Sequence, residues 1–295
     1  MASSSLHLNG IFTALVTPFS KDGSSVDKAS LSALIEFQLT SRVQGVVACG
    51  STGEATTLSE AEYVDVVKYV RAETKGKIPC VAGISVSSTA RAVDMARALE
   101  ELGCDGILVA TPPYNKPSQA GIIAHFKALR AATSLPLIAY NIPGRSGVSV
   151  ASSTLGVLSR EGIICGVKES SGSVDTIADT LLAVQPDCQV VAGEDSLLLA
   201  TLAYGGVGAI SASANVMPAE FVSLCESFAA GDVAKARQLQ LDMMPRIRSM
   251  FCESNPVPAK AVLALKEIIK NPTVRLPLTE LSPANLERVK GDFSV

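Results

Sequence analysis

Tryptophan is absent from this 295-residue chain, aromatic residues make up 4% of it, and histidine occurs only as His7 and His125. So few aromatics leave no platform on which the bases of single-stranded nucleic acid could stack. The formal charge of −3 supplies no basic face for a polyanion either. Neither histidine has a Cys or His neighbour at ligand spacing, which argues against a zinc site or a Ser-His-Asp triad. His125 lies in a helical stretch and reads as structural. No C-x-x-C pair occurs among the seven cysteines (49, 80, 104, 165, 188, 225 and 252), and their number is odd. Several sit in apolar runs as small hydrophobes, which favours a reducing compartment over a disulfide framework.

Nor is a leader expected. The start MASSSLHLNG has no basic residue before Lys21 and no apolar stretch of signal-peptide length. The longest uncharged run, 196–219, is broken by Gly205, Gly206, Gly208, Asn215 and Pro218 too often for a membrane helix. A soluble, cytoplasmic protein is expected, with no nucleic-acid or membrane partner.

What is present is apolar material: 47% hydrophobic against 18% charged residues, enough for a large core and for subunit contacts. Short β-rich runs recur near 11–16, 45–49, 79–82, 106–110, 136–140, 163–167, 189–192 and 208–211. Helical patterns lie between them, near 27–41, 60–74, 88–102, 119–132, 151–160, 174–184 and 195–204. Ser59 with Glu62 makes a capping box, and Ser118 and Ser173 are N-cap candidates. Eight strands alternating with helices, each apolar on both faces, predict a closed parallel (β/α)8 barrel. A doubly wound open sheet is the runner-up, but its glycine-rich first turn is replaced by Val16-Thr17-Pro18-Phe19. From about residue 214 helical patterns follow one another, including 230–250 and 257–270. The division expected is a barrel over 1–231 and a helical region over 232–295, packed on it without a linker.

A barrel of this kind carries its chemistry at the C-terminal ends of its strands. Lys168 ends the run Ile163–Val167, and Tyr140 ends a similar run about one strand–helix repeat earlier. A lysine beside a tyrosine there suits Schiff-base chemistry on a carbonyl substrate; a lysine snorkelling to solvent is the plain alternative. Schiff-base formation needs a neutral amine, which desolvation and a nearby cation favour, and a proton shuttle, which a phenol supplies. Other strand ends offer Gly50-Ser51-Thr52-Gly53-Glu54, Thr111-Pro112-Pro113-Tyr114-Asn115, Tyr140 through Arg145, and Gly193-Glu194-Asp195. Ser51 is placed to relay protons between Tyr140 and Tyr114, and Ser51 Oγ with the Thr52 N–H suits a small carboxylate. Against these roles stand plain ones: Tyr114 packing at a surface, Arg145 solvated in its turn, and Glu54, Glu169 and Asp195 tying loops together. Tyr204-Gly205-Gly206-Val207-Gly208 looks like a phosphate cradle but precedes the eighth strand, on the opposite face.

GSTGE (50–54), TPPYNKPS (111–118), YNIPGRSG (140–147), GVKES (166–170) and SNPVPAK (254–260) resemble the dihydrodipicolinate synthase and N-acetylneuraminate lyase family. The likeness runs from about residue 10 to the end. It implies a TIM barrel with a helical C-terminal appendage and a pyruvate-dependent class I aldolase needing no metal or organic cofactor. It implies Lys168 as the Schiff-base lysine, Tyr140 as proton shuttle, Ser51 and Tyr114 as relay, and Ser51 with Thr52 as the pyruvate-carboxylate site. Backbone near Gly193 and Ile210 would line the pocket. An arginine matching Arg145 holds the carboxylate of L-aspartate 4-semialdehyde in the synthases, which points to lysine and diaminopimelate biosynthesis. The alternatives are an aldolase or dehydratase of the same family acting on a sugar acid or hydroxy-2-oxo acid, and a non-catalytic 2-oxo-acid binding protein. The family is commonly a tetramer of tight dimers whose Tyr114 counterpart reaches into the neighbouring subunit's site. The chain departs from many synthases in having Ser51 for threonine and Pro113 before Tyr114. It departs again at the positions resembling the lysine effector site: Ala55, Thr56, Glu60, Tyr63, Ser87, Arg91 and Pro113. Arg91 replaces an acid there, so weak or absent lysine inhibition is expected.

Overall fold

The computed structural model describes residues 6–294. Eight strands form a closed parallel barrel in chain order: β1 Gly10–Ala14, β2 Gly45–Ala48, β3 Cys80–Ile84, β4 Gly106–Ala110, β5 Leu137–Asn141, β6 Gly166–Glu169, β7 Gln189–Ala192 and β8 Gly208–Ser211. The outer layer begins with helices α1 Lys28–Thr40, α2 Glu60–Thr74, α3 Thr89–Glu101 and α4 Gln119–Ala132. After β5 come α5 Pro143–Ser146 and α6 Ser152–Arg160, followed by α7 Val174–Ala183, α8 Leu198–Ala203 and α9 Pro218–Ala229. Three more helices, α10 Val233–Ser249, α11 Val257–Leu265 and α12 Pro283–Phe293, form the C-terminal region. The expected division at 231/232 falls in the turn between α9 and α10.

Each strand alternates its side chains between two cores. Phe12, Val47, Val81, Leu108, Ile138, Tyr140, Val191 and Ile210 point into the barrel, while their neighbours Ile11, Val46, Ala82, Val109, Ala139, Val167 and Val190 meet the helices. This double burial is why the strands read as continuous apolar runs. Local signals fix the helix starts. Ser59 and Glu62 form the reciprocal capping box of α2, and Ser118 and Ser173 accept the N–H groups of Gly121 and Thr176. Asn215 closes the barrel where β1 meets β8: its Oδ1 accepts the Val16 N–H and its Nδ2 donates to the Ala14 carbonyl. His125 is buried in α4 with Nδ1 2.9 Å from Thr89 Oγ1 on α3, and burial holds its pKa below the usual value. It joins two outer helices, as the structural reading required.

Two of the boundaries that differ from expectation bear on the site. β6 begins at Gly166, not Ile163, so Lys168 is the third residue of the strand and not the residue after its tip. The reason is register: Gly166 pairs with Ile138 of β5 and with Gln189 of β7. Ile163 and Ile164 are instead a buried approach segment in the outer core, and a short apolar run looks the same in either role. The helix expected over 195–204 is a 3-10 turn at Asp195–Leu197 followed by α8, because Asp195 is drawn inward to accept the Ser213 N–H. α12 was not foreseen, although Ser282 and Pro283 provide a start signal.

The C-terminal region is bolted to the barrel by charge. Arg275 grips both carboxylate oxygens of Glu62 at 2.8 and 2.6 Å. The Glu62 carboxyl is consequently held down at about 2, chiefly by the Arg275 hydrogen bonds. A depressed folded-state pKa adds stability that is complete above the ordinary value of 4.5 and is lost as pH falls toward 2. Glu62→Gln is expected to flatten the thermal-midpoint-versus-pH curve across that interval, removing about 1–2 kcal/mol for a partly exposed pair. An unchanged curve would contradict this.

Candidate active site

At the C-terminal end of the barrel, β5 and β6 lie in register so that Tyr140 pairs with Lys168. Both side chains point inward and are buried, at 7% and 5% exposure, so the lysine does not snorkel to solvent. The Lys168 Nζ lies 4.3 Å from the centroid of the Tyr140 ring. The amine thus has a phenol ring beside it on the neighbouring strand, an arrangement that can support bond formation to a carbonyl carbon.

The frame around the pair is made of carboxylates in structural roles. Glu169, next in β6, faces away from Lys168 and accepts both contacts of the Asn141 amide and the Ser171 N–H. Asn141 in turn accepts the Val150 N–H, which fixes the loop carrying Arg145. Asp195 accepts the Ser213 N–H at 2.9 Å and joins the β7 and β8 ends. Burial pushes the Asp195 carboxyl above its ordinary value, with Ser211, Ser213 and Lys168 acting against it. Glu194 is also pushed up by burial, and by Asp195 and Glu169, while Lys168 pulls it down. Lys168 and burial therefore act in opposite directions on both acids.

Gly193 forms the wall behind the lysine. A Cβ there would overlap Ser170 Oγ and stand 2.9 Å from the Glu169 carbonyl and 3.0 Å from Lys168 Cε, so any larger residue displaces Ser170 and crowds the strand and the lysine. Ile210, fully buried, lines the barrel interior in the same cluster as Tyr140. Thr52 is buried in the turn after β2, and Ser51 beside it is half-buried. Arg145 sits in α5, a single turn begun by Pro143 and closed by Gly147 at φ 77°. Its guanidinium is exposed at the rim, with one N–H donated to the Asn255 carbonyl at 3.0 Å.

Lys168, Tyr140, Thr52, Gly193 and Ile210 therefore gather at one mouth, with Ser51 and Arg145 at its edge. Tyr114 does not join them within one chain. It is 92% exposed, on a loop where it takes φ 70°, and no hydrogen bond links it to Ser51 or Tyr140 among the described residues. The positions resembling an effector site line one cavity of about 710 Å3 between α2 and α3, where Arg91 pairs with Glu60 at 3.0 Å. Tyr204 through Val207 lead into the N-terminal end of β8, away from the site, as their place in the chain required.

Sequence reasoning missed Asn255. Its Nδ2 donates to Thr52 Oγ1 at 2.9 Å while its carbonyl receives Arg145, so one residue ties two edges of the mouth together. The signal was the SNPVPAK segment, noted as a motif without a role for its asparagine. All seven cysteines are unpaired, and burial raises the thiols of Cys165 and Cys225 to about 12. Among the described residues no group of three or more His, Cys, Asp or Glu side chains could hold a metal ion. None of their helices is long and apolar enough to cross a membrane.

This geometry has many relatives. Residues 7–294 match the model of the dihydrodipicolinate synthetase family. The 4-hydroxy-tetrahydrodipicolinate synthase of Nitratidesulfovibrio vulgaris strain DP4 is 41% identical over 286 residues, 97% of each chain. That of Oleidesulfovibrio alaskensis is 39% identical over 98% of this chain and 99% of its own. Among solved structures, the synthase of Methylacidiphilum fumariolicum SolV superposes with a TM-score of 0.94 at 37% identity, covering 98% of this chain and 95% of that one. A monomeric dihydrodipicolinate synthase variant superposes equally well, TM-score 0.94 at 33% identity, over 97% of this chain and 96% of its own. The chain belongs to the dihydrodipicolinate synthetase family.

Proposed function

We propose that this protein is a 4-hydroxy-tetrahydrodipicolinate synthase, a lyase-type enzyme that condenses pyruvate with L-aspartate 4-semialdehyde on the path to diaminopimelate and lysine. The observation that carries the reading is the registered Lys168–Tyr140 pair, buried at the mouth of the barrel. The names of the relatives and their near full-length match support it over sugar-acid aldolases and over a mere binding protein.

In this reading the neutral Lys168 Nζ attacks C2 of pyruvate, whose carboxylate rests on Ser51 and the Thr52 N–H. Tyr140 delivers the proton that lets the carbinolamine oxygen leave as water. Loss of a C3 proton turns the iminium into an enamine, and C3 adds to the aldehyde carbon of the semialdehyde. The semialdehyde's own amine then attacks C2 and displaces Lys168 as the ring closes, so the enzyme emerges unchanged. No metal or organic cofactor takes part. Arg145 selects the second substrate: its guanidinium has donors left over at the rim and matches a carboxylate, not a polyol.

Ser51 carries protons onward from Tyr140, and Tyr114 completes the relay from a neighbouring subunit in a homotetramer built as a dimer of tight dimers. Its near-complete exposure in a single chain supports that role, since a large aromatic on a constrained loop otherwise has nothing to pack on. The test is kcat/KM for pyruvate with aspartate semialdehyde, measured beside N-acetylneuraminate and 2-keto-3-deoxygluconate cleavage. The first should dominate; a preference for either sugar acid would refute the reading. Arg145→Ala should raise KM for the semialdehyde by about 10–100-fold, the loss of a charge-assisted hydrogen bond, with the pyruvate adduct intact.

A further inference from the structure

The turn after β2 is built against its own preferences. Cys49 at φ 52° and Glu54 at φ 51° both occupy the left-handed region, which side-chain-bearing residues reach only at a cost. Between them lie Ser51 and Thr52. Gly53 is pinned from the barrel side, its carbonyl receiving Thr17 Oγ1 at 2.7 Å. Glu54 is held from elsewhere. Its carboxylate accepts the Lys260 ammonium on one oxygen and the Arg275 N–H, at 3.0 Å, on the other.

Lys260 is fully buried in α11. Its Nζ also donates to the Thr273 carbonyl at 2.8 Å and stands 4.0 Å from the Phe19 ring, whose centroid is 4.3 Å from the Arg275 guanidinium carbon. Burial brings the Lys260 ammonium down to about 8, with Glu54 pulling the other way. An ion pair this deep is a poor way to gain stability, because the desolvation of both charges offsets their attraction. It does fix geometry. Five residues before Lys260, the same C-terminal segment sends Asn255 Nδ2 to Thr52 Oγ1. One segment therefore grips the strained turn at two points, on either side of Gly53.

We propose that the Glu54–Lys260 pair is a positioning device that holds the Ser51–Thr52 turn in its carboxylate-receiving shape. The C-terminal helical region thereby sets pyruvate affinity without touching substrate. This rests on the function proposed above. Its signature is weaker pyruvate binding with adduct formation at Lys168 retained, since Tyr140 and Lys168 stand on β5 and β6 while the turn carries the carboxylate site and the Ser51 relay.

The test compares wild type with Glu54→Gln and with the double variant Glu54→Gln/Lys260→Met. The double variant removes both charges, so no unpaired ion is left in the core to unfold it. Both variants should need at least about tenfold more pyruvate for half-saturation of the borohydride-trapped Lys168 adduct, with the fall in kcat at saturating pyruvate the smaller effect, as expected for lost substrate positioning. The double variant should keep a wild-type thermal midpoint. A folded double variant that saturates at wild-type pyruvate overturns the proposal, as does a fall in kcat with half-saturation unchanged. Borohydride trapping of wild type with pyruvate separates the two claims: no adduct at Lys168 overturns the function itself, whereas an adduct with unshifted variants overturns only the positioning role.

Discussion

Lys168→Met is expected to lower kcat/KM for the condensation by about 10⁴-fold or more, since removing a covalent nucleophile leaves only binding and electrostatics. Methionine keeps most of the lysine stem's volume, so the side chain still fills the space in front of Gly193. The variant also removes the charge that pulls Glu194 and Asp195 down, so both acids rise further. Its thermal midpoint should stay close to wild type. A folded variant retaining more than about one hundredth of the activity would mean that bond formation does not pass through this amine.

The second large effect is expected at Tyr140. Tyr140→Phe keeps the ring beside the Lys168 Nζ and its place among the barrel's interior residues. Only the phenolic oxygen is lost, and with it the group that shuttles protons as the carbinolamine forms and collapses. A positioned general acid–base contributes about 10²–10⁴-fold, so kcat should fall within that range while folding is unaffected. Pyruvate should still add to Lys168, but slowly. A fall of less than about tenfold would assign the shuttle to another group.

Much of this was legible in the chain because a barrel repeats. Strands buried on both faces give apolar runs, the crossover helices give a steady interval, and the C-terminal ends of the runs fall at one mouth. Lys168, Tyr140 and the Ser51–Thr52 turn were placed at strand ends this way, from spacing and residue chemistry, whereas Gly193 and Ile210 as pocket lining came only with the family resemblance. The start of β6 was not, because Ile163–Cys165 are as apolar as the strand they lead into. Only pairing to β5 and β7 decides which residues are strand.

What stayed hidden lies in contacts that no period encodes. Glu54 was read correctly as a residue that ties loops together, but its partner Lys260 is 206 positions away. A lysine in an apolar helix pattern looks like a solvated one. Asn255 reaches Thr52 across 203 positions and had no signal beyond its motif. Tyr114 was placed with the site by its loop, yet in one chain it faces outward, and only a second subunit could bring it back.

The central claim is that Lys168 forms a covalent imine with pyruvate. Incubation with pyruvate and borohydride, followed by peptide mass spectrometry, tests it directly. The expected result is one reduced pyruvyl adduct per chain, on Lys168, absent from Lys168→Met and diminished in Tyr140→Phe. No adduct in wild type, or an adduct on any other lysine, would contradict the account.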